Sequence, residues 1–143
     1  MIIVDTGGLI SEVDRGSRLH EATKSLLDGL RAAGERLAIS PFILAEVDYL
    51  VSVRLGRPDR AVEILEDVAR GAYRLEPFSN ADVARAIEVM RGYADLGVGL
   101  ADASNVVLAE RLDTNDILTT DERHFRVLRG SGGRPFRLLP TDR

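Results

Sequence analysis

The chain begins with an uninterrupted run of β-branched side chains, Ile2, Ile3 and Val4, which Asp5 ends. Such a run is typical of a central strand that is buried on both faces. In an open α/β sheet, ligands bind beyond the carboxyl ends of the strands, so Asp5 is a candidate site residue. A single aspartate at that place is equally explained as a cap for the turn that follows. Asp5 therefore needs partners elsewhere in the chain before it indicates a site.

Strand and helix patterns alternate along the rest of the sequence. Thr6-Gly7-Gly8 is predicted to turn the chain directly after the first strand. Strands separated by helices imply an α/β fold, with a central, mostly parallel sheet of four to five strands and helices on both faces. The predicted strands are 2–4, 37–39, 73–75, 117–120 and 136–139, and the predicted helices are 17–33, 42–55, 58–71, 80–93, 101–112 and 122–128.

The composition is that of one globular domain, residues 1–143. A chain of this length buries a proper core but is too short for two ordinary domains. It has no cysteine, and no apolar run approaches the length of a membrane span, so we expect a cytoplasmic protein without disulfides or thiolate sites. The net charge of −4 equals the charge of four clustered acids, which leaves a balanced surface that is compatible with RNA.

Two later carboxylates fall on predicted helices. Glu46 lies on the apolar face of helix 42–55, where a carboxylate is costly unless it is paired or bound to metal. An exposed edge of that face, or a buried arginine partner, explains Glu46 equally well. Asp102 falls in the first turn of helix 101–112, where the helix dipole favours a negative charge. Asn105 follows three residues later on the same face, and simple capping by Asp102 leaves this amide without a role.

A fourth carboxylate, Asp121, directly follows strand 117–120 and so repeats the arrangement of Asp5. Strand ends and the following helix starts share one edge of a parallel sheet, so Asp5, Asp102 and Asp121 are predicted to meet there. Glu46 must reach in from a helix at the flank. Carboxylates without histidine or cysteine favour Mg²⁺ or Mn²⁺, which activate water and neutralise charge on a phosphoryl group. Neither of the two histidines is expected to serve as a base.

Other α/β sites are excluded by missing residues. The first strand is not followed by a glycine-rich dinucleotide fingerprint, and the only lysine, Lys24, is not in a P-loop context. A haloacid-dehalogenase-type phosphatase requires a second aspartate where Gly7 stands.

Four short segments together resemble the acidic motifs of PIN-domain nucleases, and they closely resemble the VapC-type toxins of bacterial toxin–antitoxin pairs. The resemblance covers nearly the whole chain, and the four motifs occur in the family's order and spacing. One departure is Gly8, where many relatives carry a bulkier residue, which is expected to loosen the turn behind Asp5. The segments are Ile3–Gly7, Ala45–Leu50, Leu100–Asn105 and Ile117–Asp121, followed by His124-Phe125.

The resemblance implies a Mg²⁺-dependent endoribonuclease, with Mn²⁺ as an alternative ion, that leaves 5′-phosphate and 3′-hydroxyl ends. It also implies a homodimer, a tRNA or rRNA substrate, and an antitoxin protein that blocks the acidic groove. A PIN nuclease of RNA processing without an antitoxin, and a catalytically idle PIN binding module, are the alternatives. The residues carried over from the family are the catalytic Asp5, Glu46, Asp102 and Asp121, the metal ligands Asp5, Asp102 and Asp121, and the supporting Thr6 and Asn105.

Five arginines cluster in sequence near the last acid. They are either phosphate contacts or part of a solvated basic surface. They are Arg123, Arg126, Arg129, Arg134 and Arg137.

Overall fold

A computed structural model describes residues 1–143 and contains one five-stranded parallel sheet in the order β3-β2-β1-β4-β5. The first strand is central, and its Ile3 lies opposite Ala38 on one side and Ile117 on the other. The predicted sheet, including the central place of the first strand, is therefore confirmed. The strands are β1 Ile2–Val4, β2 Leu37–Ile39, β3 Arg74–Leu75, β4 Asp116–Leu118 and β5 Arg137–Leu139.

Seven α-helices connect and cover the strands. A π-helical turn, Leu50–Arg54, continues α3, and short 3₁₀ turns lie at Ala94–Leu96 and Ser131–Gly133. No helix combines the length and apolar character needed to cross a bilayer. The helices are α1 Thr6–Val13, α2 His20–Ala32, α3 Pro41–Tyr49, α4 Pro58–Ala69, α5 Asn80–Gly92, α6 Leu100–Leu112 and α7 Glu122–Phe125.

Two hydrophobic clusters lie on opposite faces of the sheet. Side chains alternate along a strand, so Ile2 and Val4 pack with α1 to α4, whereas Ile3 packs with α5, α6 and α7. Both faces of the central strand are thereby buried, which explains its continuous β-branched run. At the carboxyl edge of the sheet, the ends of the strands lie beside the starts of the helices.

The predicted turn Thr6-Gly7-Gly8 is wrong, because these residues begin helix α1. A Cβ added to Gly8 would lie 2.5 Å from the carbonyl oxygen of Leu118, and one on Gly7 would overlap the side chain of Thr120. The two glycines therefore allow α1 to pack directly on the end of β4, rather than turning or loosening the chain.

Strand β4 ends at Leu118, two residues before its predicted end. Thr119 and Thr120 therefore lie beyond the strand. Helix α3 begins as predicted, with the Ser40 hydroxyl accepting a hydrogen bond from the Phe42 amide and Pro41 in the first turn.

Candidate active site at the carboxyl edge of the sheet

Helix α6 is attached to the carboxyl edge by buried polar contacts. The Ser104 hydroxyl donates a hydrogen bond to the hydroxyl of Ser40, which follows β2, at 2.7 Å. One turn of the same helix presents Asn105, whose amide nitrogen donates to Oδ1 of Asp5 at 3.0 Å. These bonds place the first turn of α6, with Asp102, beside the end of β1.

Asp5 is buried, with 4% of its surface exposed, and both of its carboxylate oxygens accept hydrogen bonds. Asn105 donates to Oδ1, and the hydroxyl of Thr119 donates to Oδ2 at 2.7 Å. The pKa of Asp5 is raised to about 7, chiefly by burial and also by the charges of Asp102 and Asp121, while the hydrogen bond from Thr119 opposes the rise. The carboxyl is thus held in one orientation and remains partly protonated near neutral pH.

Asp102, Asp121 and His124 converge beside Asp5, with one ligand atom from each lying within 4.8 Å of the other two. His124 Nδ1 is 2.9 Å from Oδ2 of Asp102 and 3.0 Å from Oδ2 of Asp121. Burial raises the pKa of Asp102, and the charges of Asp121 and Glu46 add to this, while His124 lowers it.

Neither histidine was expected to serve as a base, but His124 lies inside the acidic cluster. Asp121 caps α7 by accepting a hydrogen bond from the His124 amide at 3.0 Å, which turns the imidazole towards both aspartates. The signal in the sequence was the spacing of three residues between Asp121 and His124, which puts both on one face of a short helix.

Glu46 is the outermost of the four predicted acids. Its side chain is exposed and makes no hydrogen bond or ion pair, because Ile43 and Val47 take the buried positions of α3. The exposed edge of the apolar face, one of the open alternatives, is therefore where Glu46 lies. Its charge still raises the pKa of Asp102, so Glu46 is part of the electrostatic environment of the site.

Thr119 is a site residue that the sequence did not single out. Its hydroxyl donates to Asp5 and also accepts a hydrogen bond from the Asp121 amide at 3.0 Å. One side chain thus links two of the predicted acids. Its assignment to strand 117–120 concealed this role, because a residue inside the strand has its side chain directed by the pleat.

Two buried oxygens near Asp5 have no hydrogen-bond partner, Thr6 Oγ1 and Asn105 Oδ1. Buried polar atoms without partners are rare and indicate a missing water or ion. Together with the carboxylates of Asp102 and Asp121, they form an oxygen-rich set of the type that hard divalent cations prefer. The residues present therefore fit a Mg²⁺ or Mn²⁺ site.

Four of the five clustered arginines are engaged in the fold. Arg126 pairs with Asp142, Arg137 pairs with Asp116, Arg134 pairs with Asp113, and Arg129 donates to backbone carbonyls at the end of α7. Only Arg123 of this group forms neither an ion pair nor a hydrogen bond, and it is exposed.

A cavity of about 860 Å³ lies between α1, α2 and α4 and is lined mostly by charged side chains. None of the four acids lines it. The chemistry of the carboxyl edge, rather than cavity size, therefore identifies the candidate active site.

Comparison with known proteins identifies one family that matches most of the chain. A family model described as the PIN domain matches residues 2–130. Ribonuclease VapC26 of Mycobacterium tuberculosis (strain ATCC 25618 / H37Rv) is 38% identical over 139 residues, which cover 97% of this chain and 100% of that protein.

Solved structures share the fold at low sequence identity, which establishes the fold alone. M. tuberculosis VapC20, described as a sarcin-ricin loop cleaving toxin, gives a TM-score of 0.72 at 19% identity, covering 85% of this chain and 91% of that one. VapBC2 from Rickettsia felis, bound to a promoter DNA fragment, gives a TM-score of 0.69 at 18% identity, covering 96% of this chain and 98% of that one. A toxin–antitoxin complex from Klebsiella pneumoniae gives a TM-score of 0.62 at 19% identity, covering 92% of this chain and 95% of that one.

Proposed function

The chain belongs to the PIN domain family, and we propose that it is a metal-dependent endoribonuclease, the toxin of a toxin–antitoxin pair. The observation that carries this proposal is the convergence of Asp102, Asp121 and His124 beside the buried Asp5. A relative that is 38% identical over nearly the whole chain is a named ribonuclease, and relatives of known structure include toxin–antitoxin complexes. These similarities support both parts of the proposal.

We assign Asp5, Asp102 and Asp121 as ligands of Mg²⁺, with Mn²⁺ as an effective substitute. The bound ion would lower the pKa of water and neutralise charge on the phosphoryl group. Asn105 and Thr119 hold both oxygens of Asp5, so its carboxylate keeps one orientation when it loses its proton.

We assign to exposed Glu46, whose charge acts on Asp102, the role of accepting a proton from the attacking water. In-line attack on the phosphodiester then leaves a 5′-phosphate and a 3′-hydroxyl. Thr6, whose buried hydroxyl has no partner, supports the site next to Asp5.

A catalytically idle binding module is disfavoured by the electrostatics of the site. The pKa values of Asp5 and Asp102 are both raised, which means that their charged forms cost free energy in the fold. A module that only binds a partner has no physical need to gather these groups. A PIN nuclease of RNA processing would share the site, and a short neighbouring gene for a DNA-binding antitoxin distinguishes the toxin from it.

The partners in this proposal are a cytoplasmic tRNA or rRNA, a second copy of the chain and a cognate antitoxin. Large apolar side chains are exposed on the α3–α4 hairpin, namely Tyr49 at 54%, Val53 at 60% and Val62 at 53%. Exposed apolar surface of this kind supports association with a protein partner. Light scattering of the purified chain tests the dimer, and co-purification with the neighbouring gene product tests the antitoxin.

The experiment that tests the activity is cleavage of RNA by purified protein. We expect cutting with Mg²⁺ or Mn²⁺ and none with EDTA. Asp5→Asn should abolish cleavage and relieve growth arrest on expression, because it removes a ligand charge while preserving the shape of the side chain. Asp48→Asn on α3 is the matched control and should cut like the wild type, because Asp48 has no contact with the four acids. Full toxicity of Asp5→Asn would refute the site assignment.

A further inference from the structure

A second cavity, of about 380 Å³, lies at the end of α5 and has no part in the site described above. Its walls are the last residues of α5, the 3₁₀ turn Ala94–Leu96 and Val127, which follows α7. Its volume is within the range of pockets that bind small organic groups.

Both walls of this cavity continue into the segments that carry the acids. The Val127 amide donates to the carbonyl oxygen of His124 at 3.0 Å, so Val127 lies one helical turn beyond the imidazole that contacts Asp102 and Asp121. On the other side, the turn that ends at Leu96 leads directly into the first turn of α6 with Asp102. Val127 is three residues from His124 along the chain and so no more than about 11 Å from it, which puts the cavity within reach of a strand bound at the acids.

The lining of the cavity combines flat apolar surface with unpaired polar groups. Tyr93, Leu96 and Val127 provide apolar surface, and the Tyr93 hydroxyl makes no hydrogen bond. The Asp95 carboxylate and the Arg91 guanidinium also line the cavity, and neither forms an ion pair. These residues match a ligand that has an aromatic ring, a polar ring edge and a nearby phosphate. Aromatic side chains stack on nucleobases, and arginine binds phosphate.

We propose that this cavity receives one unpaired nucleobase of the RNA strand held at the acids, with the base stacked on Tyr93. The inference rests on the proposed RNA cleavage and adds a subsite that selects RNA with an unpaired base near the cut. Asp95 accepts a hydrogen bond from the edge of the base, and Arg91 binds a neighbouring phosphate. A base is favoured over an apolar protein side chain because both charged groups would be left without partners beside such a side chain.

Gly92 allows the cavity to be filled without disturbing the fold. It is the last residue of α5, its φ is not left-handed, and a Cβ built there meets no atom within 4 Å. Gly92→Leu therefore adds an apolar side chain at the wall of the cavity, in space that no other atom occupies. Gly29→Leu in α2 is the matched control, since its nearest neighbour would be Arg143 at 3.9 Å and it lines neither cavity.

The test uses a random-sequence RNA pool, from which a well-cut member is resynthesised with a single abasic nucleotide at each position in turn. For the wild type, an abasic nucleotide at one position near the cut should raise KM by about 5- to 150-fold, the loss expected for one stacked base. Gly92→Leu and Tyr93→Ala should raise KM for intact RNA by a similar factor, and the abasic nucleotide should then cost nothing more. Gly29→Leu should behave like the wild type.

The outcomes separate this inference from the proposed function. An unchanged KM in Gly92→Leu, or an abasic penalty that persists in that variant, would overturn the base site while leaving RNA cleavage intact. If Gly92→Leu instead lost antitoxin binding with unchanged cutting, the cavity would belong to a protein partner and the inference would be wrong. A wild-type protein that cuts no RNA would refute the proposed function, and the base site with it.

Discussion

Asp5→Asn should make the metal-free protein more stable at neutral pH while abolishing its activity. The folded pKa of Asp5 is about 7, against an ordinary value of 3.8, and each pKa unit corresponds to about 1.4 kcal/mol. The ionised carboxylate therefore costs the folded state about 4 kcal/mol above neutral pH. Asparagine avoids this cost but forgoes a hydrogen bond worth about 1 kcal/mol, so the net gain at pH 8 is at most about 3 kcal/mol.

The sign of the pH dependence follows from proton binding. Because the folded pKa of Asp5 is raised, the folded state binds more protons at this carboxyl than the unfolded state does, and the contribution of Asp5 to the stability of the wild type increases as the pH falls from about 8 towards 4. Protonation of Asp5 alone should raise the free energy of unfolding by about 3 kcal/mol as the pH falls from 8 to 5. The advantage of Asp5→Asn should therefore shrink to near zero by pH 5, because at that pH the wild-type carboxyl is protonated in the fold.

The assay is urea unfolding of both proteins in EDTA at pH 8 and pH 5, with Asp48→Asn as a control. Adding Mg²⁺ at about 100 times its Kd should stabilise the wild type by roughly 2.7 kcal/mol and reduce its pH dependence, because the ion binds the ionised form. A stability difference between wild type and Asp5→Asn that is the same at both pH values would refute the electrostatic explanation. An unfolding midpoint indifferent to Mg²⁺ would refute the assignment of Asp5 as a ligand.

Two further predictions concern the residues around the acids. Thr119→Val should lower kcat/KM by about 10- to 100-fold, because Asp5 and the Asp121 amide both lose their contact with the hydroxyl, and Thr119→Ser should restore activity. Glu46→Gln should reduce the rate of RNA cleavage with little effect on urea unfolding, since Glu46 is exposed and unpaired, whereas Asp48→Asn should leave the rate unchanged. If Asp48 proved essential for cleavage and Glu46 did not, the assignment of Glu46 to the site would be wrong.

Apart from helix α1, which was predicted as a turn, the order of strands and helices could be predicted because it depends on local patterns. The β-branched run of β1, the Ser40-Pro41 start of α3 and the glycines that end several helices are signals within a few residues of each other. The meeting of Asp5, Asp102 and Asp121 at one edge also followed from the sequence, since parallel strands end on the same side of a sheet. Even the contact of Asn105 with the site followed from its spacing of three residues from Asp102.

Only the tertiary structure decided which atoms touch at that edge. The pair Gly7-Gly8 has the local signature of a turn, but close packing against the end of β4 makes it part of a helix. The early end of β4 frees Thr119 to join Asp5 and Asp121, and the cap of α7 turns His124 onto two carboxylates. These contacts join residues that are distant in the chain, and their geometry depends on how α1, α6 and α7 pack together. Local sequence patterns specify each helix but not its sub-ångström position against its neighbours, which is what places the hydrogen bonds of the site.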